Sequence, residues 1–418
     1  MALSQNKNIL TPDILAKENI MQLETSVVLA QKGDWKYSKE FGKAANMIGD
    51  SIRIKKPVIN GVISNDPNWV NNKPYQGHLT LEIDQQFLMP LSFTDADLAL
   101  RINDFSREFI VDNIDILATQ IDKYFYEKVI NNSFWCTGQY SVPISPDTIR
   151  SANEILSVSH MPKSNVFGIL TPKHTRNLAT GMQQFFNSSR ELSEIYRTNS
   201  IGNFAGVEFA ESTNSPVHED GTAWTGSAGG FVISAASPLT SGWAETSTVS
   251  VNGFTAGRTL KKGDVFTLSG AAGKVYNYSP LVKGKTAYAQ QFVVTSDVDS
   301  TTSAATNVTF APALVVSGDY QNIAAITGTV YMIPHTVSGD SSGQEGLIFH
   351  KSAIALASPK LIMPNGLDKD AAMVSGDATG INMRYTRDWD PKTTEFVTRI
   401  DVLVGCKVLR PEWICRIR

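Results

Sequence analysis

Residues 95–131 read DADLALRINDFSREFIVDNIDILATQIDKYFYEKVIN. Leu98, Ile102, Phe105 and Phe109 recur at three- and four-residue steps, and Ile110, Ile114, Leu117, Ile121 and Phe125 continue on a slightly rotated stripe. That spacing collects apolar side chains on one face of a helix. Arg101, Asp104, Glu108, Asp112, Asp115, Asp122 and Lys123 occupy the other faces, and neither Gly nor Pro interrupts the run. The pattern predicts a helix of ~30 residues, about 45 Å long and well beyond the average globular helix. The stripe is too broad and drifting for a strict heptad seam, so it reads as the long backbone of a flattened domain.

On the N-terminal side, Thr11, Pro12 and Gly33 mark the ends of one predicted helix, Thr11 to Gln31, with Ile14, Leu15, Met21 and Val28 as a partial stripe. Ser51–Lys55 alternates as a strand, and Leu79, Leu81 and Ile83 alternate again. Asn60 to Gly77, between them, is rich in Asn, Gly and Pro. This predicts a long two-stranded hairpin whose tip buries little and whose open edges invite pairing with another chain.

On the C-terminal side the texture is first α/β. Pro146 opens a helix through Ile149, Ile155 and Leu156; Val166–Leu170 reads as a buried strand; Thr171-Pro172 opens a helix through Leu178, Ala179 and Met182; a polar helical stretch covers Glu191 to Arg197. From about residue 222 to 346 the chain turns Gly-, Ser-, Thr- and Val-rich, with short strands such as Val265–Leu268 and Phe292–Val294, an all-β pattern. Ser300 to Asn307 reads as a mobile loop. Ile381, Met383 and Tyr385, then Ile400, Val402 and Val404 after a turn at Asp390-Pro391-Lys392, and finally Lys407 to Ile417 read as closing strands.

A length of 418 residues suits two or three domains, and 42% hydrophobic residues are enough to build cores. A net charge of −3 lacks the basic excess of a dedicated nucleic-acid binder, so any DNA contact should be local and sequence-blind. Cys136, Cys406 and Cys415 are too few for a disulfide framework and read as buried, reduced thiols. The N-terminal residues lack an apolar signal core, and no apolar run reaches the ~20 residues of a membrane helix.

Several motifs resemble catalytic or binding signatures without their context. Gly339-Asp340-Ser341-Ser342-Gly343 matches the serine-hydrolase elbow but lies in a Ser/Gly loop. Gly284-Lys285-Thr286 resembles the end of a phosphate loop, yet Ser279 stands where its first glycine belongs and a strand pattern follows. His78, His160, His174, His218, His335 and His350 show no metal-ligand spacing. Asp388-Trp389-Asp390 reads as a turn with an Asx-type bond, and Lys55-Lys56 and Lys261-Lys262 as solvated faces. No catalytic residue, metal or cofactor is expected.

The order arm, hairpin, long helix, α/β body, β insertion and closing strands resembles the tailed-phage capsid fold of the Hong Kong ninety-seven type. More narrowly it is similar to short-tailed phage coat proteins with an inserted telokin-like β domain. The stretches that carry the resemblance are Gly49 to Pro57, Leu170 to Ala179, Gly202 to Val207, Val251 to Asp264 with its Lys-x-Gly-Asp ending, and Phe396 to Pro411. The resemblance implies an α+β fold. Its parts would be an N-terminal arm (1–50), an extended hairpin loop (51–94) and a peripheral domain with a spine helix (95–144). The first part of an axial domain (145–221), the inserted β domain (222–346) and the completion of axial and peripheral domains (347–418) would follow.

It also implies a major capsid protein that self-assembles, as hexamers and pentamers, into an icosahedral shell around double-stranded DNA. Scaffolding protein and portal, packaged DNA bound without sequence reading, and a decoration protein are the implied partners. No membrane is implied, and the shell would be assembled in the host cytoplasm. Stabilisation is expected to be non-covalent. Candidate assembly contacts are Asp66, Trp69 and Lys73 at the hairpin tip, with Trp243 and Glu245 in the insertion, because Trp beside charge in segments without a core reads as an exposed contact. The alternatives are a phage tail or surface β protein, which would lack the long helix, and a hydrolase using Ser341.

Overall fold

A computed structural model of the chain describes residues 12–41, 51–57, 76–94, 105–182, 201–224, 231–236, 243–253, 256–270, 273–279, 281–299, 306–318, 320–323, 329–335, 342–363, 371–390, 392 and 395–418. The chain forms two compact units. One comprises Met1–Ile52, Thr80–Tyr126 and Ile354–Lys407, and the other Arg53–Leu79, Glu127–Ala353 and Val408–Arg418.

The first unit is organised on the predicted long helix. The α-helices among the described residues are α1 (Pro12–Ser26), α2 (Leu29–Lys32), α3 (Phe105–Asn132), α4 (Pro146–Val158) and α5 (Pro172–Met182). α3 has 28 residues, about 42 Å of rise. Ile114, Leu117, Ile121 and Phe125 of the predicted stripe are buried along it, together with Ala118. Residues 95–104, which the pattern added to this helix, lie outside the described residues.

The single helix predicted from Thr11 to Gln31 is instead two. α1 ends at Ser26, and α2 begins after Val28. Val28 is β-branched and offers no capping oxygen, so the first N–H groups of α2 need another acceptor. Asp122 of α3 supplies it: its carboxylate accepts from the backbone of Val28 at 3.2 Å, Leu29 at 3.0 Å and Ala30 at 3.3 Å. Asp115, two turns earlier, accepts from Gln22 and Ser26 of α1. The break is therefore stabilised by carboxylates that lie off the apolar stripe of the long helix.

A five-stranded sheet completes this unit. Ile354–Ala357, Glu395–Val408, Asn382–Asp390 and Ala371–Ser375 lie in that order, and Gln85–Thr94 pairs antiparallel with Glu395–Val408, from Glu395 opposite Thr94 to Val404 opposite Gln85. The strand Gln85–Thr94 falls inside the stretch assigned to the hairpin loop, and its pairing makes it part of this sheet. Asp388-Trp389-Asp390 is likewise not a turn but the end of a strand, paired with Glu395 to Val397. The Glu24 carboxylate of α1 accepts from the backbone of Ala378 and Thr379, both at 2.9 Å, and so holds the turn between two strands against the helix.

The second unit has two β layers. A six-stranded sheet runs Trp135–Thr137, Ile414–Ile417, Gly346–His350, Val166–Leu170, Val207–Glu211 and Asn203–Phe204. α4 and α5 pack on it through Ile149, Ala152, Leu156 and Leu178, over Leu170, Ile348, Cys415 and Ile417. Both helices start as predicted, and Ser145 caps α4 with a reciprocal bond to Thr148. The predicted last strand, Lys407 to Ile417, is interrupted by a turn of 3-10 helix at Pro411–Trp413 and resumes at Ile414. Pro411 cannot donate to a ladder, which explains the break.

The other layer is a closed antiparallel barrel. Val265–Gly270, Gln291–Val294, Thr306–Ala311, Ser247–Asn252, Phe231–Ala236 and Val330–Pro334 pair in sequence around it, and the last returns to pair with the first. Closure leaves no free sheet edge among these six strands. Phe266, Phe292 and Phe310 meet at its centre with ring centroids 5.3–5.5 Å apart. Thr306 and Asn307, predicted as loop, begin one of its strands. Elsewhere Ser51–Lys55 and His78–Glu82 form the predicted two-stranded ribbon, and its tip lies outside the described residues.

Candidate functional site

The densest chemistry in the second unit is a buried ion cluster where the barrel meets the six-stranded sheet. Glu345 precedes the strand Gly346–His350, and Arg416 lies in the neighbouring strand Ile414–Ile417. Both side chains are fully buried. Arg416 Nε donates to Glu345 Oε2 at 2.5 Å and Arg416 Nη2 to Oε1 at 2.6 Å, a two-point pairing suited to the planar guanidinium. Arg418 Nε adds a bond to Oε1 at 2.8 Å and Tyr140 Oη another at 2.5 Å. Burial pushes the Glu345 carboxyl up, but the two guanidiniums outweigh it and hold the group well below the usual carboxylate range. Burial and the neighbouring Glu345 push the Tyr140 phenol far up, so it donates and stays neutral.

The cluster then reaches into the barrel. Arg416 Nη1 donates to the backbone carbonyl of Gly263 at 2.6 Å. Arg418 Nη1 pairs with Asp220, and His218 Nε2 lies 3.2 Å from Asp264 Oδ1. The other oxygen of Asp264 accepts from Gly221 N, Trp224 Nε1 and Lys261 N at 2.9–3.0 Å. Burial opposes charge on His218, yet Asp220 and Asp264 lift its pKa above the ordinary histidine value. Three carboxylates and two guanidiniums are thus locked between sheet and barrel, where loss of one partner strands the others. Such an arrangement fixes one orientation. Among the described residues it has no nucleophile facing an acid or base in a reaction cleft.

The residues expected to act fare differently. Asp66, Trp69 and Lys73 lie outside the described residues. Trp243 is half-buried on the base of the hairpin, with Lys56 Nζ 4.4 Å from its ring centroid, and a Cβ on Gly77 would come 2.8 Å from its ring. Tyr320 Oη adds a bond to Pro57 O at 2.9 Å. The barrel therefore holds the hairpin base through contacts no local pattern announced. Glu245 is exposed. Lys56, read as solvated, is engaged on Trp243; Lys261 pairs at the surface with Glu219 at 2.7 Å.

Ser341 lies outside the described residues, but Ser342–Gln344 after it is a strand paired with Val217–Glu219 and leads to another strand, not to the helix a nucleophile elbow requires. Gly284-Lys285-Thr286 opens a strand, Gly284–Ala289, so no helix N-terminus is there to cradle phosphate. All three cysteines are free and buried, as expected. The histidine reading holds less well: His218, Asp220 and Asp264 come together although their positions show no ligand spacing.

The family model described as "P22 coat protein - gene protein 5" matches residues 1–415. No curated protein matches the chain significantly in sequence. Among solved structures, one from Mycobacterium phage Che8 aligns over 94% of this chain and 91% of its own, with 13% identity and a TM-score of 0.49. The acid-stable capsid of Helicobacter pylori bacteriophage KHP30 aligns over 100% and 93%, with 12% identity and a TM-score of 0.42. The capsid of cyanophage P-SCSP1u aligns over 88% and 83%, with 11% identity and a TM-score of 0.43.

Proposed function

The chain belongs to the P22 coat protein family and is a major capsid protein of a phage shell, and from that premise we propose that its copies associate as hexamers and pentamers closing an icosahedral shell around double-stranded DNA. The observation that carries this reading is the match over residues 1–415, which takes in every region from the arm to the closing strands. Symmetric closure requires each copy to present the same surfaces at fixed angles, so a subunit must hold its parts rigidly. The ion cluster and the barrel contacts at Lys56, Pro57 and Gly77 meet that need within one unit.

The hairpin tip, with Asp66, Trp69 and Lys73, then lies over an adjacent copy, and Glu245 on the barrel surface faces a neighbour between capsomers. Weak contacts suffice, because many act together. The chain's role is structural and not enzymatic. Scaffolding protein, portal and a decoration protein are its partners, DNA meets the inner face without sequence reading, and assembly takes place in the host cytoplasm. The inserted domain runs from 222 to 346, with the spine helix in a peripheral domain and the six-stranded sheet in an axial one. Expression of the full chain with its scaffolding partner, followed by negative-stain microscopy, tests the reading. Closed shells of uniform size are expected, and only monomers or amorphous material would overturn it.

A further inference from the structure

Within the ion cluster, His218, Asp220 and Asp264 differ from the rest because their donor atoms face one another. His218 Nε2 lies 3.2 Å from Asp264 Oδ1 and 3.4 Å from Asp220 Oδ1. One ligand atom from each residue falls within 4.8 Å of the others. Ligands on a tetrahedral zinc ion with bonds of about 2.0–2.1 Å stand about 3.3–3.4 Å apart. An octahedral magnesium ion with similar bonds would set neighbouring oxygens about 2.9 Å apart. Two of the three separations, 3.2 and 3.4 Å, lie nearer the tetrahedral spacing than the octahedral one.

The carboxylates are also held as ligands need to be held. Asp264 spends Oδ2 on three N–H donors, which leaves Oδ1 toward His218. Asp220 spends Oδ2 on Arg418 Nη1 at 3.2 Å. Its Oδ1 is buried and faces His218 Nε2 at 3.4 Å and Arg418 Nη1 at 3.1 Å, and the side chain is only 7% exposed. His218 and Asp220 alternate with Glu219 along the chain, so they project to one side while Glu219 turns outward to Lys261. Outer hydrogen bonds of this kind orient metal ligands and raise affinity.

We propose that His218, Asp220 and Asp264 bind a divalent transition metal of the zinc class, each residue giving one ligand atom and water taking the fourth position. The ion ties the strand Val217–Glu219, with Asp220 just after it, to the start of the barrel strand Val265–Gly270. It thus adds a clamp beside the arginine bond to Gly263, at the junction of barrel and sheet.

The test is a zinc titration of the tag-free full chain, followed by cobalt substitution. Expected are saturation at one zinc per chain, the intense visible absorption of four-coordinate cobalt, and a rise in thermal midpoint with zinc that chelator reverses. His218→Asn and Asp220→Asn should each weaken binding about tenfold or more. Absence of saturation in the unsubstituted chain overturns the proposal, whatever the variants do. So does a weak six-coordinate cobalt spectrum, or equal binding by correctly folded variants. Those outcomes would mean that a proton on His218, shared with the two aspartates, is what the pocket holds.

Discussion

Glu345 and Arg416 face each other with both side chains fully buried, joined by two bonds of 2.5 and 2.6 Å although 71 positions apart in the chain. A pair so placed contributes little net stability compared with apolar residues of the same size, but breaking it is costly, because the survivor keeps a charge that water cannot reach. Glu345→Ala would strand Arg416 and Arg418 together. The expected loss is about 3–5 kcal/mol in denaturant unfolding of the monomer. A double variant, Glu345→Leu with Arg416→Met, should recover a large part of it. Equal instability of the single and double variants would show that shape, not charge, sets the junction.

Asp122 makes a second case in the other unit. Its carboxylate takes three backbone N–H groups at the start of α2, where Val28 offers no side-chain cap. Asp122→Ala leaves those donors buried without an acceptor, and a loss of about 2–4 kcal/mol is expected. Hydrogen exchange at the amides of Leu29 and Ala30 should accelerate more than exchange within α3. Uniform acceleration would instead mean that the whole unit depends on this residue.

Histidine protonation predicts sensitivity to mild acid. His335 Nε2 lies 3.2 Å from Gly138 O, and Gln291 Nε2 lies 3.3 Å from His335 Nδ1, so the neutral ring donates on one side and accepts on the other. Burial pushes its pKa down to about 4, Arg418 and Arg416 push the same way, and the Gly138 carbonyl and Asp220 oppose them. His174 is also down to about 4, through burial and then Lys173. Between that value and the ordinary 6.5, the unfolded chain takes up protons that the folded chain refuses. Stability is therefore full above about pH 6.5 and falls as pH drops toward 4, by at most about 3 kcal/mol for each histidine. Urea unfolding across that window should show the slope, and His335→Gln should make it shallower. An unchanged slope in the variant would place the titration elsewhere.

How much of this was legible beforehand follows from the range of the interactions. α4 and α5 begin where Pro146 and Pro172 say they should, because a proline at the first helical turn is a local instruction. The burial of Ile114, Leu117, Ile121 and Phe125 on α3 follows from their spacing, while that of Asp122 does not. The split between α1 and α2 does not, since its cause is an aspartate 94 positions away from Val28. Barrel closure depends on Val265–Gly270 pairing with Val330–Pro334 as well as Gln291–Val294, and no strand pattern encodes that choice. The ion cluster was invisible for the same reason: His218 and Asp264 stand 46 positions apart. The contact of Trp243 with Lys56 and Gly77 was out of reach of the sequence because the hairpin base lies more than 160 positions away in the chain.

Trp243 and the hairpin tip now separate two effects that sequence reading had merged. Trp243 covers Gly77 and Lys56, and Lys56 N donates to Gly77 O at 2.8 Å. Trp243→Ala should therefore loosen the hairpin base within a single subunit, at a cost of about 1–2 kcal/mol, with faster exchange at the Lys56 amide before any assembly. Asp66→Lys and Lys73→Glu act differently if the tip meets a neighbour. Monomer unfolding should stay within about 0.5 kcal/mol of the parent, because exposed charges contribute little to folding. Sedimentation of assembly reactions should nonetheless show shells reduced or absent for each, and raised salt should lessen the defect if the lost contact is electrostatic. Normal assembly by both charge reversals would remove the tip from the interface, and an unstable monomer in either would assign these residues to the fold of the subunit itself.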